Sequence, residues 1–106
     1  MYRRVFRGQV APGRHGEFLA AVEEALLYQH QRGIRARYSV WDALTGRASE
    51  VEIVSEFESL QDLEQFEELV AQDQAFAGIR QRVRAAMMFE STTVTLYRQL
   101  DVSPTS

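Results

Sequence analysis

The sequence predicts an α+β domain: an antiparallel four-stranded sheet with two helices on one face. Two observations carry that prediction. The first is a hairpin with two legible faces, Ile34–Leu44 paired against Ser49–Glu58 around Thr45-Gly46-Arg47-Ala48. One face sets Val40 opposite Ile53, Tyr38 opposite Ser55 and Ala36 opposite Phe57. The other sets Trp41 opposite Glu52, Ser39 opposite Val54, Arg37 opposite Glu56 and Arg35 opposite Glu58. Side chains alternate along a strand, so a slip of one residue would mix the two sets. The second observation is a pair of amphipathic helical stretches, each lying between strand-like stretches.

Taken in order, Tyr2–Val10 is rich in aromatic, β-branched and alternating residues and reads as a strand. Pro12-Gly13 stops it. A helix follows from about Arg14 to Gln31, with Phe18, Ala21, Val22, Ala25 and Leu26 on one stripe and Leu19 and Leu27 widening it. Gly33 sits where helices commonly end. The hairpin supplies strands two and three. Ser59 caps a second helix, with Asp62 three residues on as in a variant capping box. Leu63, Phe66 and Val70 form its first stripe. Phe76, Ile79 and Val83 form a second, slightly out of phase, which predicts a kink or break near Asp73-Gln74. Thr92–Leu100 is the last strand, and Asp101–Ser106 a polar, disordered tail. There is one domain, residues 1–100, with no repeat.

The order β-α-β-β-α-β is the ferredoxin-like plan. Right-handed crossovers put both helices on the same side of the sheet. That side should bury Phe6, Val10, Val40, Ile53, Phe57, Val94 and Leu96. The bare side carries Arg3, Val5, Arg7, Arg35, Arg37, Ser39, Trp41, Glu52, Val54, Glu56, Thr93, Thr95 and Tyr97. Its chemistry is a mixed Arg/Glu surface with one Trp and one Tyr. Arginines orient an anionic or carbonyl oxygen, and aromatic rings stack on a ring. The competing reading is a dimer interface, or a solvated face stitched by ion pairs that contribute roughly 0–1 kcal/mol each. Across this face Arg37 and Glu56 are expected to pair.

The stretch Val10-Ala-Pro-Gly-Arg-His-Gly-Glu-Phe18 resembles the strand-end, Pro-Gly, helix-start segment of the dimeric α+β barrel superfamily. That superfamily includes antibiotic-biosynthesis-monooxygenase-like and NIPSNAP-like proteins. Phe57-Glu-Ser-Leu-Gln-Asp-Leu-Glu-Gln-Phe66, with Asp73-Gln-Ala-Phe76 after it, is similar to its third-strand-to-second-helix passage. The resemblance spans about residues 2–100. It implies a homodimer in which two open sheets face each other and enclose a lumen that holds the ligand or active site. The lumen candidates are then Arg37, Trp41, Glu52, Val54, Glu56 and Tyr97, and the ligand a small aromatic or polyketide-like molecule. The alternative is a cofactor-independent monooxygenase, cyclase or isomerase of secondary metabolism. In it the substrate supplies the electrons, and Arg37 and Tyr97 orient it and stabilise an oxyanion.

Composition narrows the chemistry. The chain has 106 residues and a formal net charge of -3, which argues against nucleic acid or an anionic membrane as partner. All 12 basic residues are arginine, so no Schiff-base mechanism is available. Without cysteine there is neither a disulfide nor a thiolate metal site. No apolar run is long enough to span a bilayer. Met1-Tyr2-Arg3-Arg4-Val5-Phe6 reads as a strand and not a signal peptide, so a cytoplasmic location is expected. His15 and His30 lie far outside the spacing of helical metal ligands. Superfamily members that degrade haem use a helix histidine, and no matching Asn/His/Trp set is found. There is no Gly-rich phosphate loop, dinucleotide fingerprint or nucleophile-base order, so no cofactor is expected. Glu23-Glu24 and Glu67-Glu68 read as solvated helix faces. Arg80, Arg82 and Arg84 read as balancing the acidic start of helix two and the dipole at its end. RNA-recognition domains share the element order, but Glu52 and Glu56 would repel phosphates from the sheet.

Overall fold

A computed structural model of the chain describes residues 1–103; the last three residues of the expected tail lie outside the described residues. The elements are β1 (Tyr2–Gln9), α1 (His15–Gln31), β2 (Arg37–Asp42), β3 (Glu50–Phe57), α2 (Leu60–Gln72), α3 (Gln74–Ala85) and β4 (Thr93–Arg98). The sheet order is β2-β3-β1-β4 and every pairing is antiparallel. This is the ferredoxin-like arrangement, with the second helix divided in two.

Local chemistry explains the boundaries. Gly13 and Gly33, at φ 76° and 77°, adopt the left-handed conformation that glycine takes without strain and bracket α1. The β2–β3 ladder sets Arg37 opposite Glu56, Tyr38 opposite Ser55, Ser39 opposite Val54, Val40 opposite Ile53 and Trp41 opposite Glu52. That is the register expected from the alternating faces. It ends at Arg37–Glu56, so the expected pairs Ala36–Phe57 and Arg35–Glu58 fall outside it. Ser59 Oγ accepts from the Asp62 N–H at 3.1 Å and starts α2. The expected break is at Asp73, whose backbone turns extended (ψ 110°) and whose carboxylate accepts from the Phe76 N–H at 2.9 Å to start α3.

The core lies between the helices and the sheet in two clusters. Phe6, Val10, Phe18, Val22, Val51, Val83 and Met87 form one. Ala25, Ile34, Phe57, Leu63, Phe66, Phe76 and Ile79 form the other. In the second cluster Phe66 meets Phe57 at a ring distance of 5.6 Å and Phe76 edge-on at 6.2 Å, geometries aromatic pairs favour.

Two expectations about burial need correction. Val40, Val94 and Leu96 point to the helix side yet are exposed. The helices roof the two central strands, and the edge strands β2 and β4 project beyond them. Leu19 and Leu27 are likewise exposed on α1. Conversely Val5 and Val54, expected to be bare on the open side, are buried. They face each other across β1 and β3, and their long charged neighbours on the same face exclude water from them. Among the described residues no helix is long and apolar enough to cross a membrane.

Candidate functional site

Three rows of side chains cross the open face from β2 to β4: Arg37, Glu56, Arg3, Tyr97; then Ser39, Val54, Val5, Thr95; then Trp41, Glu52, Arg7, Thr93. All six lumen candidates therefore share one face. The charges on it are distributed differently from the sequence expectation. Glu56 accepts from Arg3 of β1 at 3.0 Å and makes no ion pair with Arg37. Glu56 lies between the two arginines, and its single carboxylate is taken by the one on the central strand. Glu52 binds Arg7 at 2.6 Å, and this hydrogen-bonded pairing holds the Arg7 guanidinium above its usual pKa. The two carboxylates are thus satisfied within the chain. Arg37 is left exposed at the edge. Trp41 is 62% exposed, with its indole N–H donating to Ser39 Oγ at 2.9 Å. A groove of about 390 Å³ runs beside it, between Arg7, Asp42 and Glu50.

The opposite side of the sheet holds a feature that sequence reasoning missed. A cavity of about 60 Å³ lies under the helices. Its floor is Arg4 and Ser55, opposite each other on β1 and β3, with Phe6 and Ile53 beside them. α1 contributes Val22, Ala25 and Gln29; α2 contributes Phe66; α3 contributes Phe76, Arg80, Val83 and Arg84. Gln29 continues the buried stripe of Phe18, Val22 and Ala25 and is itself 5% exposed. Its Nε2 donates to the Ala25 carbonyl at 3.2 Å, while its Oε1 is buried without a partner. An unpaired buried acceptor costs about 1–3 kcal/mol, so the cavity is polar at one point and apolar around it.

The cations of the cavity are also uncommitted. Arg4 lies over the Phe66 ring at 5.0 Å and Arg80 over Phe76 at 5.9 Å. No salt bridge among the described residues involves Arg4, Arg80 or Arg84. Burial lowers the Arg4 pKa; the Glu67 charge opposes that shift and Arg80 and Arg84 reinforce it. Burial likewise lowers Arg80, with Arg84 adding and Glu67 opposing. A guanidinium nonetheless stays charged in a protein. Of the arginine run, only Arg82 bridges to α1, at 2.6 Å from Glu24. The signals for the cavity were an arginine at core parity between Tyr2 and Phe6 and a glutamine in an apolar helical stripe. Tyr38 shows the same conflict: its hydroxyl is buried without a partner, and burial pushes its pKa up to about 12. It does not line the cavity.

The remaining candidates stand apart from both places. His15 and His30 are exposed near opposite ends of α1, and among the described residues no three His, Asp or Glu gather as a metal site requires. Asp73 accepts from the Tyr28 hydroxyl at 2.7 Å as well as from Phe76, and both bonds hold its carboxyl below the usual range, the backbone one most. That network ties α1 to the α2–α3 junction.

No protein-family model and no curated protein matches the sequence. Solved structures do. A conserved protein from Methanosarcina mazei Go1 aligns with a TM-score of 0.74 at 19% identity, over 93% of this chain and 92% of that one. An uncharacterised NIPSNAP domain protein from Burkholderia xenovorans aligns with a TM-score of 0.72 at 16% identity, over 98% and 99%. A mutant of SnoaB, a cofactor-independent oxygenase from Streptomyces nogalater, aligns with a TM-score of 0.73 at 14% identity, over 97% and 96%. With a sheet of order β2-β3-β1-β4 and its helices on one side, the chain has the ferredoxin-like subunit fold of the dimeric α+β barrel superfamily, to which the NIPSNAP and antibiotic-biosynthesis-monooxygenase-like proteins belong.

Proposed function

We propose that this protein binds a small molecule in the cavity between its helices and sheet, and that it works as a homodimer joined through the open sheet faces. The observation that carries the first half is the Gln29 Oε1, buried without a partner in a cavity walled by aromatic and aliphatic side chains. Ligand sites are mostly apolar with a few convergent polar groups, and Gln29, Arg4 and Arg80 are such groups. The fold supports the second half, as does Trp41, a large aromatic left exposed on a face whose carboxylates are already paired. Carbon-13 methyl spectra of Val22, Ala25 and Ile53 test the cavity against phenol, indole, butanol and short carboxylic acids. Shifts in these methyls that Ala25→Phe abolishes support it. A panel in which none of them moves overturns it.

A second reading places a small aromatic or polyketide-like ligand in the dimer lumen, against Trp41, Arg37, Glu52, Val54, Glu56 and Tyr97. It is favoured by size, because the groove at Trp41 has about 390 Å³ and ligand sites span about 300–1,000 Å³. Trp41 emission reports it: quenching by polycyclic phenols with unchanged Val22 and Ala25 methyls supports the lumen. The likeness to SnoaB extends either reading to a cofactor-independent monooxygenase, or a related cyclase or isomerase. Dioxygen uptake in the presence of a bound polycyclic phenol distinguishes that enzyme from a binding protein.

A further inference from the structure

Building on the reading that the interior cavity holds a ligand, we infer that this ligand is a small hydroxylated carboxylic acid. Its carboxylate lies toward Arg4 and Arg80 and its hydroxyl toward Gln29.

Charge comes first. Arg4 and Arg80 bring guanidiniums to the cavity, and no carboxylate of the described residues is within salt-bridge distance of either. The ring faces of Phe66 and Phe76 orient these cations and use none of their N–H donors. Glu67 acts on both through space, and Arg84 adds a third positive charge to the cavity lining. The excess is positive, and the planar fork of a guanidinium matches a carboxylate in shape and donor spacing.

Gln29 supplies the second requirement. Turning its amide over does not help, because Nε2 already donates to the Ala25 carbonyl. Oε1 therefore needs an O–H or N–H delivered from the cavity. A plain carboxylate would satisfy the arginines and leave this oxygen stranded. A hydroxyl on the same molecule satisfies both. Water could fill that role, and the cavity is large enough to hold it, but water brings no negative charge for the arginines.

Size is the third. About 60 Å³ admits an acidic head and a short apolar body against Phe6, Val22 and Ile53, and is far below the space a fused-ring compound needs.

The experiment is a methyl-shift titration of the full chain with 2- and 3-hydroxybutyrate, butyrate and the neutral 3-hydroxybutyramide. The hydroxy acids should move the Val22, Ala25 and Ile53 methyls and bind about tenfold more tightly than the amide, the scale of a hydrogen bond to a charged group. Arg80→Gln, at a half-exposed position, should erase the preference for acid over amide, while Arg82→Gln should leave it. Gln29→Leu should erase the preference for hydroxybutyrate over butyrate and spare butyrate itself. An amide that binds as tightly as the acid, or an acid preference that survives Arg80→Gln, overturns the inference. If the same methyls answer to neutral phenol or butanol but not to acids, the cavity is a ligand site of different chemistry. If they answer to nothing, both readings fall.

Discussion

Removing the Glu56 carboxylate separates two geometries that strand register alone leaves equivalent. Glu56 has an arginine on each side, Arg37 on β2 and Arg3 on β1, and only Arg3 reaches it, at 3.0 Å. The Arg3 side chain is 54% exposed and that of Glu56 21%. Exposed pairs measure about 0.2–1 kcal/mol in double-mutant cycles. A carboxylate this well covered places Arg3–Glu56 near the top of that range, about 1 kcal/mol. The cycle Arg3→Gln with Glu56→Gln should return that coupling, and Arg37→Gln with Glu56→Gln should return less than about 0.3 kcal/mol. In a domain of this size, 1 kcal/mol corresponds to about 4–8 °C in Tm. The assay is urea unfolding at one fixed protein concentration, because self-association adds its own stabilisation. A coupling to Arg37 equal to or larger than that to Arg3 would refute the pairing and, with it, the satisfied state of the open face.

Three other outcomes follow from the same coordinates. Bonds to the Phe76 N–H and Tyr28 hydroxyl, with Arg32 nearby, depress the folded pKa of Asp73 below its ordinary value of 3.8. Its stabilisation is therefore present above that value and lost as pH falls through the lower, folded one. Thermal melts between neutral pH and about pH 2 should show a shallower acid slope for Asp73→Asn than for the parent protein. Gly8→Ala would put a methyl 2.6 Å from Met87 Cε, an overpacking that costs about 1–3 kcal/mol; Met87→Ala in the same chain should recover part of the loss in urea midpoint. The exposed Trp41 and Tyr97 on the open face lead us to expect a dimer by light scattering at micromolar concentration, weakened by Trp41→Ala; a monomer there refutes the proposed pairing of faces.

The hairpin was readable because two independent patterns agreed on one register. An apolar set and a charged set alternate, and only one alignment keeps them apart. The break at Asp73 was readable from the phase change between Val70 and Phe76, since a continuous helix cannot put both stripes on one face. Coverage of the edge strands was not readable. Val94 and Leu96 have the residue types of a buried strand, but whether a helix reaches over them depends on helix placement, which no local pattern encodes. The Arg37–Glu56 pairing failed for a related reason. Opposition across β2–β3 is a property of two strands, while the choice between Arg37 and Arg3 needs the position of a third.

The interior cavity was legible only as a set of misfits. Arg4 occupies a position whose parity assigns it to the core, Gln29 interrupts an apolar stripe, and Ser55 and Tyr38 face each other on the helix side of the hairpin. Each, read alone, is an ordinary imperfection that a long side chain can resolve by reaching solvent. The fold shows that they do not all resolve that way. Gln29 Oε1 and the Tyr38 hydroxyl remain buried and unpaired, and Arg4 keeps its charge under a roof of helices. A chain that needed only stability could replace Gln29 with leucine and Arg4 with valine and lose no hydrogen bond between protein side chains. Retaining unpaired polar groups around one cavity costs stability in the empty protein, and that cost is offset only by something that arrives carrying the missing partners. The open face shows the reverse pattern, with Glu52 and Glu56 matched inside the chain by Arg7 and Arg3. Unmet hydrogen-bonding demand therefore lies beneath the helices, while the open face offers an aromatic surface whose carboxylates are already satisfied, which suits a second copy of the sheet.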